Sequence, residues 1–219
     1  MSKKKLLSLA LVVIMIAILS FSTLAWFNDK DSVTNEFYVA NSDDDSADDI
    51  FSIDVYEEVD EDGDGTPDKK EEAGLKFEDV VPGQKLPKAP VVENTGRYAQ
   101  WVKLTITFKS INAWNALVDG TVAGPIGLLD WASDFDANWK GVSFNDENGV
   151  YEYTYYLKSA LQPGETVDVF TAVNIPKELD QNDFFAIKDE TITLDIKAEA
   201  IQLELGATVD EAFAAYTTP

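Results

Sequence analysis

Oxygen-bearing side chains recur at alternate positions in "DEDGDGTPDKKE", residues 60–71. The spacing D-x-D-x-D-G-x5-E is typical of a twelve-residue calcium loop. A hard cation needs six to eight oxygen ligands, alternate carboxylates on a tight loop converge on one point, and a glycine at the sixth position permits the sharp turn. The stretch therefore predicts a calcium ion with an ordering rather than a catalytic role. Its predicted ligands are Asp60, Asp62, Asp64, Thr66 through its carbonyl, Asp68 and Glu71.

The residues around this loop differ from those of an EF-hand. A strand pattern precedes it, "KKEEAG" is a poor exiting helix, and Pro67 stands where EF-hands usually carry an apolar residue. The loop instead resembles the calcium loops of thrombospondin type 3 repeats and of many bacterial surface proteins. Extracellular modules of this kind bind calcium with a Kd of roughly 10⁻⁴–10⁻³ M. The alternative interpretation is a solvated acidic linker, because an acidic composition raises the number of chance matches.

The amino-acid composition excludes several kinds of binding partner and catalytic site for this chain. Lys and Arg number 17 against 40 Asp and Glu, giving a net charge of −23, so nucleic acid and anionic lipid are poor partners. The absence of Cys and His excludes disulfides, a Cys or His catalytic system and the commonest zinc ligand. No H-E-x-x-H, G-x-S-x-G or phosphate-loop motif is present, and we predict that the chain is not an enzyme. A glycosidase-like carboxylate pair stays open, although nothing singles out two carboxylates among so many.

Aromatic residues offer one further binding chemistry. Trp101, Trp114, Trp131 and Trp139 could form a platform on which sugar rings stack. The alternative, which we favour, is that they are core or half-buried neighbours in a sheet.

The elements that must position these residues are mostly strands. Apolar residues recur with a period of two at 33–39, where Val33, Phe37 and Val39 share one side, and again at 50–59. Further strands are predicted around turns at Pro82-Gly83, at 94–96 and at 145–149. Residues 128–139 predict a short helix, and 208–216 a terminal one that Thr208 and Glu211 cap. The pattern indicates an all-β fold, an antiparallel β-sandwich with minor helices.

Two strands show which of their faces should be buried. Between residues 98 and 108 the apolar side chains fall on one face, as they do between 192 and 200. The predicted core residues are Val102, Leu104, Ile106, Phe108, Ile192, Leu194, Ile196, Ala198 and Ala200.

The N-terminal segment has the features of a secretory signal peptide. Lys3–Lys5 form its charged region, Leu6–Leu19 its apolar region, and Thr23 and Ala25 stand at −3 and −1 of a cleavage site. The apolar run is shorter than the roughly 20 residues that span a bilayer, although an uncleaved anchor is the alternative. The chain divides into a cleaved signal helix (1–25), a strand with an acidic linker (26–49) and a β-sandwich domain (50–219).

Three segments resemble one known family. A lysine-led leader ending in "TLAWFNDKDSVTNEF", the stretch "FEDVVPGQKLPKAPVVENTGRYAQWVKLTI" and, more weakly, "LQPGETVDVFTAVNIP" are similar to the exported TasA/camelysin (CalY) family of Gram-positive bacteria. The signal peptides of that family are cut by the dedicated peptidase SipW. Together the segments cover the leader and about half of the mature chain.

The resemblance implies a secreted, jelly-roll β-sandwich that polymerises into biofilm-matrix fibres. In that family the segment after the cleavage site is donated as a strand to the next subunit, which maps here to Trp26–Val39. The implied partners are copies of the chain or related matrix subunits, and the signal peptidase during export. Membrane contact is expected only through the uncleaved signal. Some relatives carry a metallo-endopeptidase label, which the absence of His and of a zinc motif here does not support.

Physical reasoning independently favours an exchangeable strand. Residues 33–39 are an alternating strand followed by the acidic "ANSDDDSADD", which predicts a flexible tether of about 16–19 Å in root-mean-square length. Such a strand can pair within its own sandwich or with an open edge of a neighbour. Two further hypotheses stay open: a calcium-dependent surface-binding or adhesion module, and a camelysin-like secreted peptidase. Each of these three hypotheses predicts a protein outside the cell, in the matrix or on the cell surface.

Overall fold

The structure is a computed structural model. It describes residues 52–61, 66–72, 75, 77, 80–118, 124–180, 182, 185, 187, 192–203 and 206–217, together with the backbone of 28–33. The signal peptide predicted at 1–25 lies outside this range.

Antiparallel strands dominate the described chain, so the all-β prediction is confirmed. The strands are β1 Asn28–Val33, β2 Ile53–Val59, β3 Lys69–Glu71, β4 Lys85–Pro87, β5 Pro90–Asn94, β6 Gln100–Lys109, β7 Leu129–Trp131, β8 Trp139–Glu147, β9 Val150–Leu157, β10 Thr166–Asp168, β11 Phe170–Asn174 and β12 Thr193–Gln202. The described helices are α1 Ile111–Ala116, a 3₁₀ turn Pro125–Leu128, α2 Phe135–Asn138 and α3 Val209–Thr217.

The first layer is a five-stranded sheet in the order β1-β12-β6-β9-β8. Its centre is the ten-residue β6, which alternates between buried and half-buried side chains along its whole length. The predicted core faces are confirmed: Val102, Leu104, Ile106 and Phe108 on β6 are buried, as are Leu194, Ile196, Ala198 and Ala200 on β12. Ile192 is only partly buried and packs against the same core.

The second layer consists of a four-stranded sheet, β10-β5-β2-β3, and a three-stranded sheet, β4-β11-β7. The ladder that pairs β5 with β10 continues in the same register into the ladder that pairs β4 with β11. Leu86 lies about six residues before Val92, and its partner Val173 lies the same distance after Val167, the partner of Val92. The Val169 amide donates to the Pro90 carbonyl between the two ladders. We therefore describe the two sheets as one layer, interrupted where prolines withhold a backbone donor.

Both layers bury their inner faces in one apolar cluster. Val55 and Val92 from the second layer lie in it with Leu104 and Ile196 from the first. Two sheets that share such a core form a β-sandwich. A smaller cluster on the outer face of the first layer holds α3, where Phe213 stacks on Tyr156 at 4.9 Å.

Local chemistry fixes the predicted turns. Asn148 and Gly149, both at positive φ, join β8 to β9, in agreement with the predicted hairpin. The turn after β5 is held by buried Asn94, whose Oδ1 accepts from the Gly96 amide at 2.9 Å and from Gln100 Nε2 at 2.6 Å. The capping box of α3 is present, since Glu211 Oε2 accepts from the Thr208 amide at 2.8 Å.

One local prediction is corrected, and one strand is added. The single helix expected at 128–139 is a short strand, β7, followed by the four-residue α2, because Leu129 and Trp131 pair with β11. A further strand, β1, lies at Asn28–Val33, where the sequence pattern did not predict one. Its partner β12 selects this register, whereas residues 34–39, including Phe37 and Val39, lie outside the described residues.

Candidate functional site

The acidic loop is the tip of a β-hairpin. Strands β2 and β3 flank it and pair through Glu57↔Glu71 and Val59↔Lys69, so its flanks are strands, as the sequence indicated. Two bonds close its base: the Asp68 amide donates to the Val59 carbonyl at 2.8 Å, and the Glu61 amide donates to Asp68 Oδ2 at 2.8 Å. The carboxylate at position 9 thus folds back across the loop.

The structure describes only part of the predicted ligand set. Asp60, Thr66 and Asp68 are exposed in the loop, whereas Asp62 and Asp64 lie outside the described residues. Glu71 lies opposite Glu57, about 10 Å down the strand from Asp60, and forms an ion pair with Lys69 at 3.0 Å. In the part of the chain that the structure describes, no three acidic side chains gather as a metal site. The calcium site stays a prediction.

A belt of charges crosses the outer face of the second layer beside this hairpin. Lys70 Nζ lies 2.6 Å from Glu93 Oε2 and 4.0 Å from the centroid of the Tyr56 ring, and the hydrogen bond to Glu93 raises the pKa of Lys70. Burial is the largest cause of the raised pKa of Glu58, and the negative charge of Asp168 is the second. Each of these contacts follows from cross-strand neighbours on one face of the sheet.

Two acidic residues at the end of this belt repel each other. Burial, followed by the charge of Asp134, raises the pKa of Asp168 above its ordinary value. Like charges disfavour the ionised form, as does partial removal from water. The arrangement costs folding free energy at neutral pH.

The N-terminal strand is the second candidate site. β1 pairs antiparallel with β12 from Asn28↔Ile201 to Val33↔Ile196, and β12 is its only pairing partner among the described strands. The strand therefore lies at an edge of the sandwich, with the opposite row of its backbone groups unpaired within the described sheet. The segment predicted as a donor thus completes the sheet of its own chain.

The sequence analysis missed a buried ion pair on the inner face of the second layer. Lys88 Nζ donates to Glu57 Oε1, and only 3% and 0% of the two side chains are exposed. The signal was present: Glu57 follows Ile53 and Val55 at spacings of two, which places it on the apolar face of β2. Lys88 stands in the interruption between β4 and β5.

The tryptophans pack within the fold. Trp114 and Trp139 are buried, and their indole N–H groups donate to the carbonyls of Thr193 at 3.0 Å and Asp168 at 3.4 Å. The Trp131 ring is tilted against Phe135, with their centroids 4.1 Å apart, and Trp101 lies in the cluster beneath α3. The four do not form one platform, and the packing interpretation is the correct one.

An exposed aromatic cluster occurs instead on the edge hairpin. Phe144 on β8 is 54% exposed and lies 5.4 Å from Tyr151 and 4.7 Å from Tyr153. Burial raises the pKa of Tyr153, so its phenol stays protonated at neutral pH. Cross-strand pairing of β8 with β9 brings these rings together.

The function of this chain is inferred from its own residues and their geometry. Among the helices that the structure describes, none has the length and apolar composition needed to cross a membrane. No protein-family model, curated protein or solved structure matches the chain.

Proposed function

We propose that this protein is a secreted structural component of an extracellular or biofilm matrix, a jelly-roll sandwich that polymerises by exchanging its N-terminal strand. The single observation that carries the proposal is the position of β1, an edge strand whose only pairing partner among the described strands is β12 and which begins at the third residue after the predicted cleavage site. The resemblance of the leader and of two mature segments to the TasA/camelysin family supports it.

The energetics of β1 favour exchange. A strand of identical sequence from a second copy would form the same pairs with β12, so exchange costs no net backbone hydrogen bonds. The choice between the two partners is then set by the effective concentration of the tethered strand, roughly millimolar for a short flexible tether.

The connection to the next strand is long enough for either arrangement. Residue 33 and residue 52 are separated by a stretch that spans at most roughly 60–70 Å when fully extended. At its far end the connection is held to β6, because Gln100 Nε2 donates to the Ser52 carbonyl at 2.9 Å. β1 also lies beside β2 of the other layer, so an exchanged strand has to form the same contacts there. Repeated head to tail, exchange generates an open filament.

A cysteine pair across the β1–β12 ladder tests the proposal. Ser32 lies opposite Lys197, and opposed residues in antiparallel strands have Cα separations of about 4.5–5.5 Å, which a disulfide can bridge. In the S32C/K197C variant, fibres grown under reducing conditions and then oxidised should give a ladder of covalent multimers on a non-reducing gel. Protein oxidised as a monomer should lose the ability to polymerise.

Three outcomes would overturn strand exchange. Fibres that dissolve into internally bonded monomers would show that β1 stays with its own chain. Covalent dimers without longer multimers would indicate reciprocal swapping, and protein that forms no fibres at all would refute the matrix role. The single variants S32C and K197C are the controls, because one cysteine per chain links at most two subunits.

The exposed aromatic cluster favours one alternative, a surface-binding or adhesion module. The exposed ring of Phe144 lies beside the half-buried rings of Tyr151 and Tyr153, a chemistry suited to sugar rings. A glycan array probed with the parent protein and with Phe144→Ala, in calcium and in chelator, discriminates it. Equal signals from both proteins would exclude this cluster as the binding site.

A further inference from the structure

The proposed strand exchange does not involve the buried ion pair between Lys88 and Glu57. Both side chains lie on the inner face of the second layer, where their neighbours two residues away, Val55 and Leu86, belong to the apolar core. Other ion pairs differ in this respect. In Lys70–Glu93 the lysine side chain is 57% exposed, and in Lys103–Glu199 it is 17% exposed.

Burial makes the ionic form of this pair costly. Removal of an ammonium and a carboxylate from water is repaid only when the remaining lone pairs and protons find partners. Here Glu57 Oε2 is buried and has no hydrogen-bond partner in the described structure. Transfer of one proton from Lys88 to Glu57 gives a neutral amine in contact with a neutral carboxylic acid. These are the two forms that can react with each other.

We propose that Lys88 and Glu57 condense to an intramolecular amide bond. The Nζ lone pair of Lys88 attacks Cδ of Glu57, a carbon–nitrogen bond forms, and one carbon–oxygen bond breaks. The departing oxygen leaves as water with the carboxyl proton and one proton from the amine. No oxidant, reductant or activating group is required, and the apolar surroundings exclude the water that would favour the reverse reaction.

The position of the bond gives it a structural purpose. It would join β2 to the interruption between β4 and β5, where Pro87 and Pro90 withhold backbone donors from the layer. The joined residues are 31 positions apart, so the bond closes a long loop. A covalent link of this length restricts the unfolded chain as a disulfide does, in a sequence without Cys.

Intact-mass spectrometry of the purified protein tests the proposal independently of fibre formation. The expected mass is lower than the sequence mass by one water molecule. After trypsin digestion, peptides 31–69 and 86–97 should appear as one branched product, because an acylated Lys88 is no longer a cleavage site. A full sequence mass, or a water loss that maps to any other residue, would overturn it.

Two variants keep the result interpretable. Lys88→Arg preserves the positive charge but replaces the nucleophilic amine, so it should show the full mass even if it folds less stably. Lys103→Arg, at the partly exposed pair with Glu199, should keep the water loss of the parent.

Discussion

At the scale of single residues, the structure distinguishes carboxylates that stabilise the fold from those that oppose it. Glu211 stabilises: hydrogen bonds from the Thr208 amide and hydroxyl lower its pKa. Asp168 opposes folding at neutral pH, because burial and the charge of Asp134 raise its pKa. The sequence composition alone does not distinguish the stabilising carboxylate from the destabilising one. The capping box could be predicted from a spacing of three residues, whereas the electrostatic effect of Asp134 on Asp168 acts between two distant segments.

The raised pKa of Asp168 predicts how stability depends on pH. A carboxyl whose pKa is higher in the folded state binds protons more tightly there, so stability falls as pH rises from the unfolded to the folded pKa. Above that window the cost is fully present. We expect Asp168→Asn to stabilise the protein at pH 7 by less than about 1 kcal/mol, since the group is partly exposed, and to have little effect well below pH 4.

Thermal unfolding at the two pH values checks this prediction. Asp210→Asn is the matched control, because Asp210 forms an ion pair with Lys140 at 2.8 Å and its loss should not stabilise. A variant at Asp168 that destabilises the protein at pH 7 would contradict the assignment of the raised pKa.

At the scale of elements, the hairpin β2–β3 decides what the acidic loop can do. Its strand flanks could be read from the sequence, because apolar residues alternate before the loop and a helix pattern is missing after it. The position of Glu71 could not, since the pairing register of β3 places it opposite Glu57 rather than near Asp60. Spacing along a chain does not specify the register in which two strands pair.

The calcium prediction belongs to this element. We expect the parent protein to bind calcium with a Kd of about 10⁻⁴–10⁻³ M and the D62A/D64A variant to give no heat on titration. Calcium at ten times its Kd should stabilise the parent by about 1.4 kcal/mol.

A matched acidic variant makes that titration specific. D44A/D45A removes the same two charges from the linker at 40–49 and should bind calcium as the parent does. Equal heats from the parent and from D62A/D64A would refute the site. An equal loss in both variants would indicate nonspecific attraction by net charge.

At the scale of the whole molecule, charge opposes assembly. The chain carries a net charge of −23, and removal of the predicted leader would also remove Lys3, Lys4 and Lys5. Subunits in a filament therefore repel one another at low ionic strength, where screening extends over about 30 Å at 0.01 M salt but only about 3 Å at 1 M.

This repulsion predicts a salt dependence of polymerisation. Fibre growth should accelerate as sodium chloride rises from 0.01 M to 0.5 M, measured by light scattering and electron microscopy. Replacement of Asp43, Asp44 and Asp45 by Asn should lower the salt concentration required. Fibres that grow fastest at low salt would contradict the electrostatic account.

The sequence by itself determined the all-β class, the buried faces of β6 and β12, the principal turns and the cap of α3. Each depends on neighbours within a few residues, where strand alternation and turn chemistry act directly. Only the tertiary structure decided that β1 lies at 28–33 against β12, that Lys88 meets Glu57 in the core, and that the charge of Asp134 acts on Asp168. Those contacts join segments that local pattern leaves unrelated, and packing of the two layers selects them.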